Sequence, residues 1–331
     1  MTRRTLRSLV VTMVAVVLSS AVFAQTVIKL SDEQPPSYIN NVYLKQWAQD
    51  VNKTLAGKVD VQLFVGGQLY SDQDALQNLT LGGVQMVSTH TGYWPTILPE
   101  TGVFNLPFIV NDLGASYNAM YDLSSPVMQR IEQQAEKQDN IKILSTFKVG
   151  KVVLFSRKPI NGLADLKGLK IRAIGGKNVE DSLRAIGGDP ITIAAPELAG
   201  ALQQGVVDAA IGSYIYWLGQ FADTAKYGLD LGGLWNTVYF VAIYKPTWDS
   251  LTPNEQKVLQ DGLAKVSAEE YKAWDVQEKD AIQKLEAGGA KIVTLTDAQR
   301  AEWKSKVQPI WAAFEKKYGT GIVKLAQDSQ K

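Results

Sequence analysis

The chain has 331 residues, 46% of them hydrophobic, with 34 basic and 33 acidic side chains and no cysteine. That length accommodates two domains of ordinary size, and the charge balance leaves no basic block for nucleic acid or an anionic membrane surface. Disulfides, thiol catalysis and cysteine-ligated metal are excluded, and the lone His90 cannot pair with a second imidazole in a metal site.

The N-terminus reads as a secretory signal peptide over residues 1–24. Arg3, Arg4 and Arg7 precede an apolar run from Leu9 to Leu18, interrupted only by Thr12, and Val22 and Ala24 occupy the −3 and −1 positions of a cleavage site before Gln25. The run is shorter than the roughly 20 apolar residues that span a bilayer. Arg3-Arg4 admits a twin-arginine route, but Thr5-Leu6-Arg7 continues it only loosely, so Sec and Tat export both stay open. Without the leader arginines the remainder carries 31 basic against 33 acidic residues.

Val27, Ile28 and Leu30 around Lys29 predict a first strand, followed by a turn at Glu33-Gln34-Pro35-Pro36. A helix begins near Asn40, with Tyr43, Trp47 and Val51 at four-residue spacing. Val59, Val61 and Leu63 alternate as a strand before Gly66-Gly67, Ser71 to Leu81 reads as a capped helix, and Val84 to Ser88 as the next strand. Such alternation predicts an α/β lobe with a largely parallel sheet, whose ligands sit at the carboxyl ends of the strands.

A second lobe is expected from near Gly150. Its strands are Val152 to Ser156, Leu169 to Ile174, Ile191 to Ile193 and Val206 to Ile211, with helices on Val179, Leu183 and Ile186 and over Glu197 to Gln204. Thr252-Pro253-Asn254-Glu255 is a capping box that starts a helix running to Gly288-Gly289, about 50 Å long at ~1.5 Å per residue. It is either a brace between lobes or a peripheral helix kinked near Gly262. Glu269-Glu270 on it reads as a solvated face. A second capping box at Thr296 opens a final helix that Pro309 is expected to kink.

Little in the chain points to catalysis. His90, at a strand end among Thr89, Thr91 and Gly92, reads as a satisfied or loop histidine, and Gly175-Gly176-Lys177 lacks the spacing of a phosphate loop. The informative run is Leu166-Lys167-Gly168-Leu169-Lys170-Ile171-Arg172, followed by Glu197-Leu198-Ala199-Gly200-Ala201-Leu202-Gln203-Gln204-Gly205-Val206-Val207-Asp208. With Gly66-Gly67-Gln68-Leu69, Phe104-Asn105-Leu106-Pro107-Phe108 and Trp248-Asp249-Ser250-Leu251, it resembles the solute receptors of tripartite ATP-independent periplasmic (TRAP) transporters, in their dicarboxylate-receptor branch.

The resemblance implies an α/β, two-lobed periplasmic binding protein fold with hinge segments and a long lobe-bridging helix. Lobe I would take residues 25–149 and 238–277, and lobe II residues 150–237 and 278–331. It also implies capture of a small organic acid in the periplasm and delivery to small and large TRAP membrane subunits. The mature protein would be a monomer without stable membrane insertion, nucleic acid, cofactor, metal or enzymatic activity. Receptors for a sensor kinase or an ABC system are the alternatives within binding, and a periplasmic hydrolase or isomerase the alternative outside it.

Arg172 takes the family's carboxylate-anchor position. A guanidinium offers parallel donors that match a carboxylate, and Arg172 alternates with Ile171 and Ala173. On the residues alone an exposed strand arginine is the other reading. Glu33 falls in a ligand-contacting loop, and Tyr93, Tyr214, Tyr216, Trp217, Trp235 and Tyr239 fall at or beside cleft positions, where core packing is the other reading. Two departures are expected to remove polar contacts: Gly212 stands where an asparagine is common, and Val152 where some relatives carry a second basic residue. Together they suggest a bulkier, partly apolar carboxylate, an aromatic acid among them.

Overall fold

The structure, a computed structural model, describes residues 25–112 and 114–331. The expected signal peptide lies outside the described residues.

In chain order the first half holds β1 (Thr26–Ser31), α1 (Ile39–Thr54), β2 (Val59–Phe64), α2 (Asp72–Thr80) and β3 (Met86–His90). Two short 3-10 turns, the second at Pro99–Asn105, lead to α3 (Ala115–Tyr121) and α4 (Pro126–Gln138). β4 (Ile141–Ser156) then crosses the molecule into β5 (Lys170–Ala173), α5 (Lys177–Ala185), β6 (Asp189–Thr192), α6 (Leu198–Gln203), β7 (Ala209–Ser213), α7 (Tyr214–Phe221) and β8 (Tyr227–Asp230). The chain returns through β9 (Asn236–Tyr244) and α8 (Lys245–Ser250), and ends with α9 (Pro253–Ala287), β10 (Lys291–Thr294), α10 (Asp297–Tyr318) and α11 (Thr320–Asp328).

The strand order β2-β1-β3-β9-β4-β7-β5-β6 makes two sheets that share one long strand. The first half of β4 pairs antiparallel with β9, and its second half pairs antiparallel with β7 and β8. In each sheet the βα units supply parallel neighbours: β1 beside β2 and β3, β5 beside β6 and β7. This is the two-lobed α/β body.

The boundary expected at Gly150 is a bulge inside β4, and that strand starts at Ile141 instead of Val152. Gly150 sits at φ +66°, and a Cβ there would lie 2.0 Å from Trp274 Nε1. An isolated left-handed glycine bends a strand without ending it.

The helix α9 is unbroken and packs on α1, β4 and α7, so it braces both sheets. Gly262 does not mark a kink: it lets α1 approach, with Trp47 Nε1 donating to Leu259 O at 3.1 Å. α9 also covers the β4 edge. Gln260 Nε2 donates to Leu144 O at 2.7 Å, Ser267 Oγ to Thr146 O at 2.6 Å, while Glu270 accepts from Lys148 N at 3.0 Å and Glu278 from Lys151 N at 2.8 Å. Side chains thereby satisfy backbone groups that an edge strand leaves unpaired. Glu270, expected on a solvated face, is 0% exposed for this reason. Burial raises its carboxyl well above the ordinary range, against the lowering by the Lys148 amide and ammonium.

The final helix is two. α10 continues through Pro309 and stops at Gly319, whose φ is +83°. The second, α11, packs on α4 and the Pro99–Asn105 turn, and Gln330 Nε2 donates to Ile109 O at 2.9 Å.

Candidate functional site

The carboxyl ends of β1, β3, β5 and β7 converge between the two sheets. On β5, Ile171 and Ala173 are buried in the hydrophobic core, and the intervening Arg172 is turned into the seam at 3% exposure. Its Nε donates to Ile193 O at 2.8 Å and its Nη1 to Ile211 O at 3.3 Å. Among the described residues, no carboxylate forms an ion pair with it. A buried cation costs several kcal/mol of solvation, and two carbonyls leave part of its five-donor fork unused.

The opposite wall comes from the loop after β1. Glu33 accepts from Asp72 N at 2.9 Å and, across the seam, from Ala195 N at 3.4 Å. Tyr38 OH and Ser213 Oγ meet at 3.3 Å, and Asn178 Nδ2 donates to Gly102 O at 2.8 Å, both also across the seam. Between these contacts lies a cavity of ≈ 20 Å³. That is room for about one water, so the halves are closed on each other. Arg172, Glu33, Tyr38, Gly212, Tyr216 and Tyr239 are among its walls. A recess of ≈ 490 Å³ between β4 and α9 is far larger, but the charged groups that line it, Asp122 and Lys272, are exposed. The small cavity holds the buried charge and is the stronger candidate.

Two further buried carboxyls, Asp32 and Asp72, cluster with Glu33 behind that wall. Burial pushes Asp32 up to about 7, against the lowering by Ser88, the Gln34 amide and Asn41. Asp72 is raised well above the ordinary range by burial, then by Glu33 and Asp32, and Arg172 offsets only part of this. His90 is driven down to about 3 by burial and by Arg172. Its Nδ1 accepts from Gly92 N at 3.0 Å, which assigns the remaining proton to Nε2, facing Thr237 Oγ1 at 2.7 Å. It is a neutral, satisfied histidine that offers a ligand no charge.

Of the residues singled out in the sequence, Arg172, Glu33, Gly212 and Tyr239 meet at the cavity. Tyr93 stands beside it, its ring over Gly175, where a Cβ would come within 2.5 Å. Tyr214, Trp235 and Val152 are not brought to it. Ser213 caps α7 by accepting from Tyr216 N at 3.1 Å, and the helix then turns Tyr216 to the cavity and Tyr214 to Asp230, at 3.2 Å. Trp235 is buried in the core just before β9. Val152 faces the opposite side of β4 from Val149, which lines the cavity instead. Tyr38 and Ser213 were not anticipated. The signals for them are the Pro35-Pro36 turn, which aims Tyr38, and a serine ahead of the apolar helical run of α7.

Known proteins share this architecture. The family model described as bacterial extracellular solute-binding protein, family 7, matches residues 30–317. The C4-dicarboxylate-binding periplasmic protein DctP of Vibrio cholerae is 27% identical over 280 residues, 83% of this chain and 82% of that one. A TRAP periplasmic solute binding protein from Pseudomonas putida F1, solved with bound D-glucuronate, superposes with a TM-score of 0.82 at 25% identity, over 90% of this chain and 96% of that chain. One from Shewanella oneidensis, with bound succinate, gives a TM-score of 0.85 at 22% identity, over 93% and 100%. A single family model thus spans the positions of Glu33, Arg172 and Tyr239, and the protein belongs to bacterial extracellular solute-binding protein family 7, the solute-binding proteins of TRAP transporters.

Proposed function

We propose that the protein captures a small organic acid in the periplasm, with Arg172 as its carboxylate anchor, and delivers it to the small and large membrane subunits of a TRAP transporter. The observation that carries this reading is the buried guanidinium without an ion-pair partner among the described residues, at the seam between lobes. An incoming carboxylate supplies the missing charge and accepts from the donors the carbonyls leave free. The mature receptor acts as a monomer after removal of residues 1–24, and its task is binding without chemistry.

The charge balance favours one carboxylate over two. Arg172 is the only cation among the cavity walls, Glu33 opposes it, and His90 is neutral. A second carboxylate would meet Glu33. Tyr38, Tyr216 and Tyr239 instead offer ring faces and hydroxyls, which suit a hydroxylated or aromatic monocarboxylate. Among ligands of the relatives, D-glucuronate, with one carboxylate and several hydroxyls, fits this better than succinate, with two carboxylates.

We divide the lobes as 25–149 with 238–277 and 150–237 with 278–331 but move α11 and the residues after it to lobe I, a change supported by its packing on α4 and the Pro99–Asn105 turn. β4, β9 and α9 are the segments that pass between the lobes.

A thermal-shift panel of sugar acids, aromatic acids and dicarboxylates on ligand-stripped protein tests the reading. A true ligand at 100-fold over Kd adds about 2.7 kcal/mol, a shift of several degrees. If no member shifts folded protein, the organic-acid reading fails; if only dicarboxylates do, the monocarboxylate preference fails.

A further inference from the structure

A polar recess of ≈ 420 Å³ lies outside the cleft, walled by segments from both ends of the chain. Its volume is within the range of small-molecule sites, about 300–1,000 Å³. Lys151 reaches it from the bulged crossing of β4, Arg300 and Lys304 from the first turns of α10, and Phe108 from the loop after the Pro99–Asn105 turn.

Contacts other than ion pairs hold Arg300 and Lys304 in place. Arg300 Nη1 donates to Gly232 O at 2.6 Å, and its guanidinium lies so close to Gly232 that a Cβ there would come within 3.0 Å of Cζ. Gly232 has φ +59°, a conformation glycine takes without strain. The Lys304 ammonium lies 5.4 Å from the centre of the Phe108 ring. Phe108 itself holds φ 58°, an outlier for a bulky residue, fixed by its amide donating to Leu234 O at 2.8 Å. Strain of this kind, beside a cavity, is a reason to look for a ligand.

None of the three cations is held in an ion pair among the described residues, although Lys151 lies near enough to Glu278 to lower that carboxyl. Arg300 and Lys304 are four residues apart on one helix, a spacing at which like charges repel. Neither they nor Lys151 enters an ion pair among the described residues, whereas Lys306 on the same helix faces Glu302 at 3.8 Å. Two carboxylates also line the recess, Asp230, which accepts from Gly232 N at 2.8 Å and from Tyr214 OH at 3.2 Å, and Asp112, which accepts from Gly114 N at 2.8 Å, so the three cations outnumber the carboxylates and leave the lining net positive.

We propose that this recess is a second anion site, separate from the cleft, which takes a small multivalent oxyanion of phosphate or polycarboxylate chemistry between Lys151, Arg300 and Lys304. Two or three converging cations match the several oxygens of such an ion, and a guanidinium held against Gly232 is already oriented for it.

Calorimetry with inorganic phosphate and with citrate, against chloride at matched ionic strength, tests this on the mature protein, Lys304→Gln, the Arg300→Gln/Lys304→Gln pair and Arg172→Ala. Saturable binding of at least one anion is expected, with affinity about tenfold lower in Lys304→Gln, the order for one charge-assisted hydrogen bond. It should be lower still in the pair and unchanged in Arg172→Ala. Phosphate alone identifies an inorganic ion, citrate alone a polycarboxylate. Lys304 is exposed, so its variant folds even if the pair does not. The proposal is overturned if neither anion binds above chloride, if binding survives Lys304→Gln unchanged, or if it is lost in Arg172→Ala, which would place the ion in the cleft.

Discussion

Replacing Asp32 by asparagine should make the protein more stable, by an amount that grows with pH. Asp32 is buried between β1 and α1, where Oδ1 accepts from Gln34 N at 2.7 Å and from Asn41 Nδ2 at 3.0 Å, and Oδ2 has no hydrogen-bond partner. Asparagine keeps the accepting oxygen and places an amide where the unpartnered one stood, near the equally unpartnered Ser88 Oγ. The folded carboxyl titrates at about 7 against an ordinary 3.8, so the folded state holds a proton that the unfolded state has released. A raised carboxyl supports the fold fully below the unfolded value and loses that support as pH rises through the folded one. Roughly three pH units at about 1.36 kcal/mol each give a penalty on the order of 4 kcal/mol above neutrality. Urea unfolding of parent and Asp32→Asn, followed by tryptophan fluorescence and circular dichroism together, should show near-equal stabilities close to pH 4. Between pH 5 and 7 the variant's advantage should widen by about 2 kcal/mol. Asp72, Glu270 and Glu278 are raised in the same direction, so both proteins lose stability as pH rises, and only the difference isolates Asp32. A difference that stays constant from pH 5 to 8 would refute the reasoning.

Two further expectations concern the anchor and the crossing. Arg172→Ala should weaken binding of the acid found in the panel by about 30-fold to several thousandfold, the cost of truncating one partner of a buried charge pair, with Arg172→Lys recovering part of it. Arg157→Ala and Arg184→Ala, both at exposed positions, should change little in the same calorimetry, and parent-like affinity in folded Arg172→Ala would remove the anchor assignment. Gly150→Ala combines a positive φ with a Cβ 2.0 Å from the buried Trp274 indole and 2.5 Å from Glu278 Oε1, so it should cost about 3 kcal/mol or more in denaturant unfolding; a loss below about 1 kcal/mol would mean the β4 bulge can relax.

Much of the fold could be read along the chain because its units are local. Apolar alternation in β1 and β2, the capping boxes at Thr252 and Thr296 and the unbroken stripe of α9 each depend on residues a few positions apart. Arg172 was legible through the motif around it, and its alternation with Ile171 and Ala173 already turned it away from the core. Other features depend on partners far away in sequence. Glu270 looked like surface because nothing near it reveals that a β4 edge amide, 122 residues earlier, would need an acceptor. Tyr214 and Tyr216 are alike in a sequence, and the cap at Ser213 chooses which one meets the cleft. Gly150 signalled a break before a new strand, yet one strand runs through it and changes partners there, with α9 supplying Trp274 and Glu278 against the bulge. Local patterning determined the elements and the α/β character of the lobes; the closed seam, the pairing of β4 with α9 and the raised acidity constants of Asp32 and Asp72 were decided by tertiary contact and burial, which removes water from groups whose neighbours no window of sequence contains.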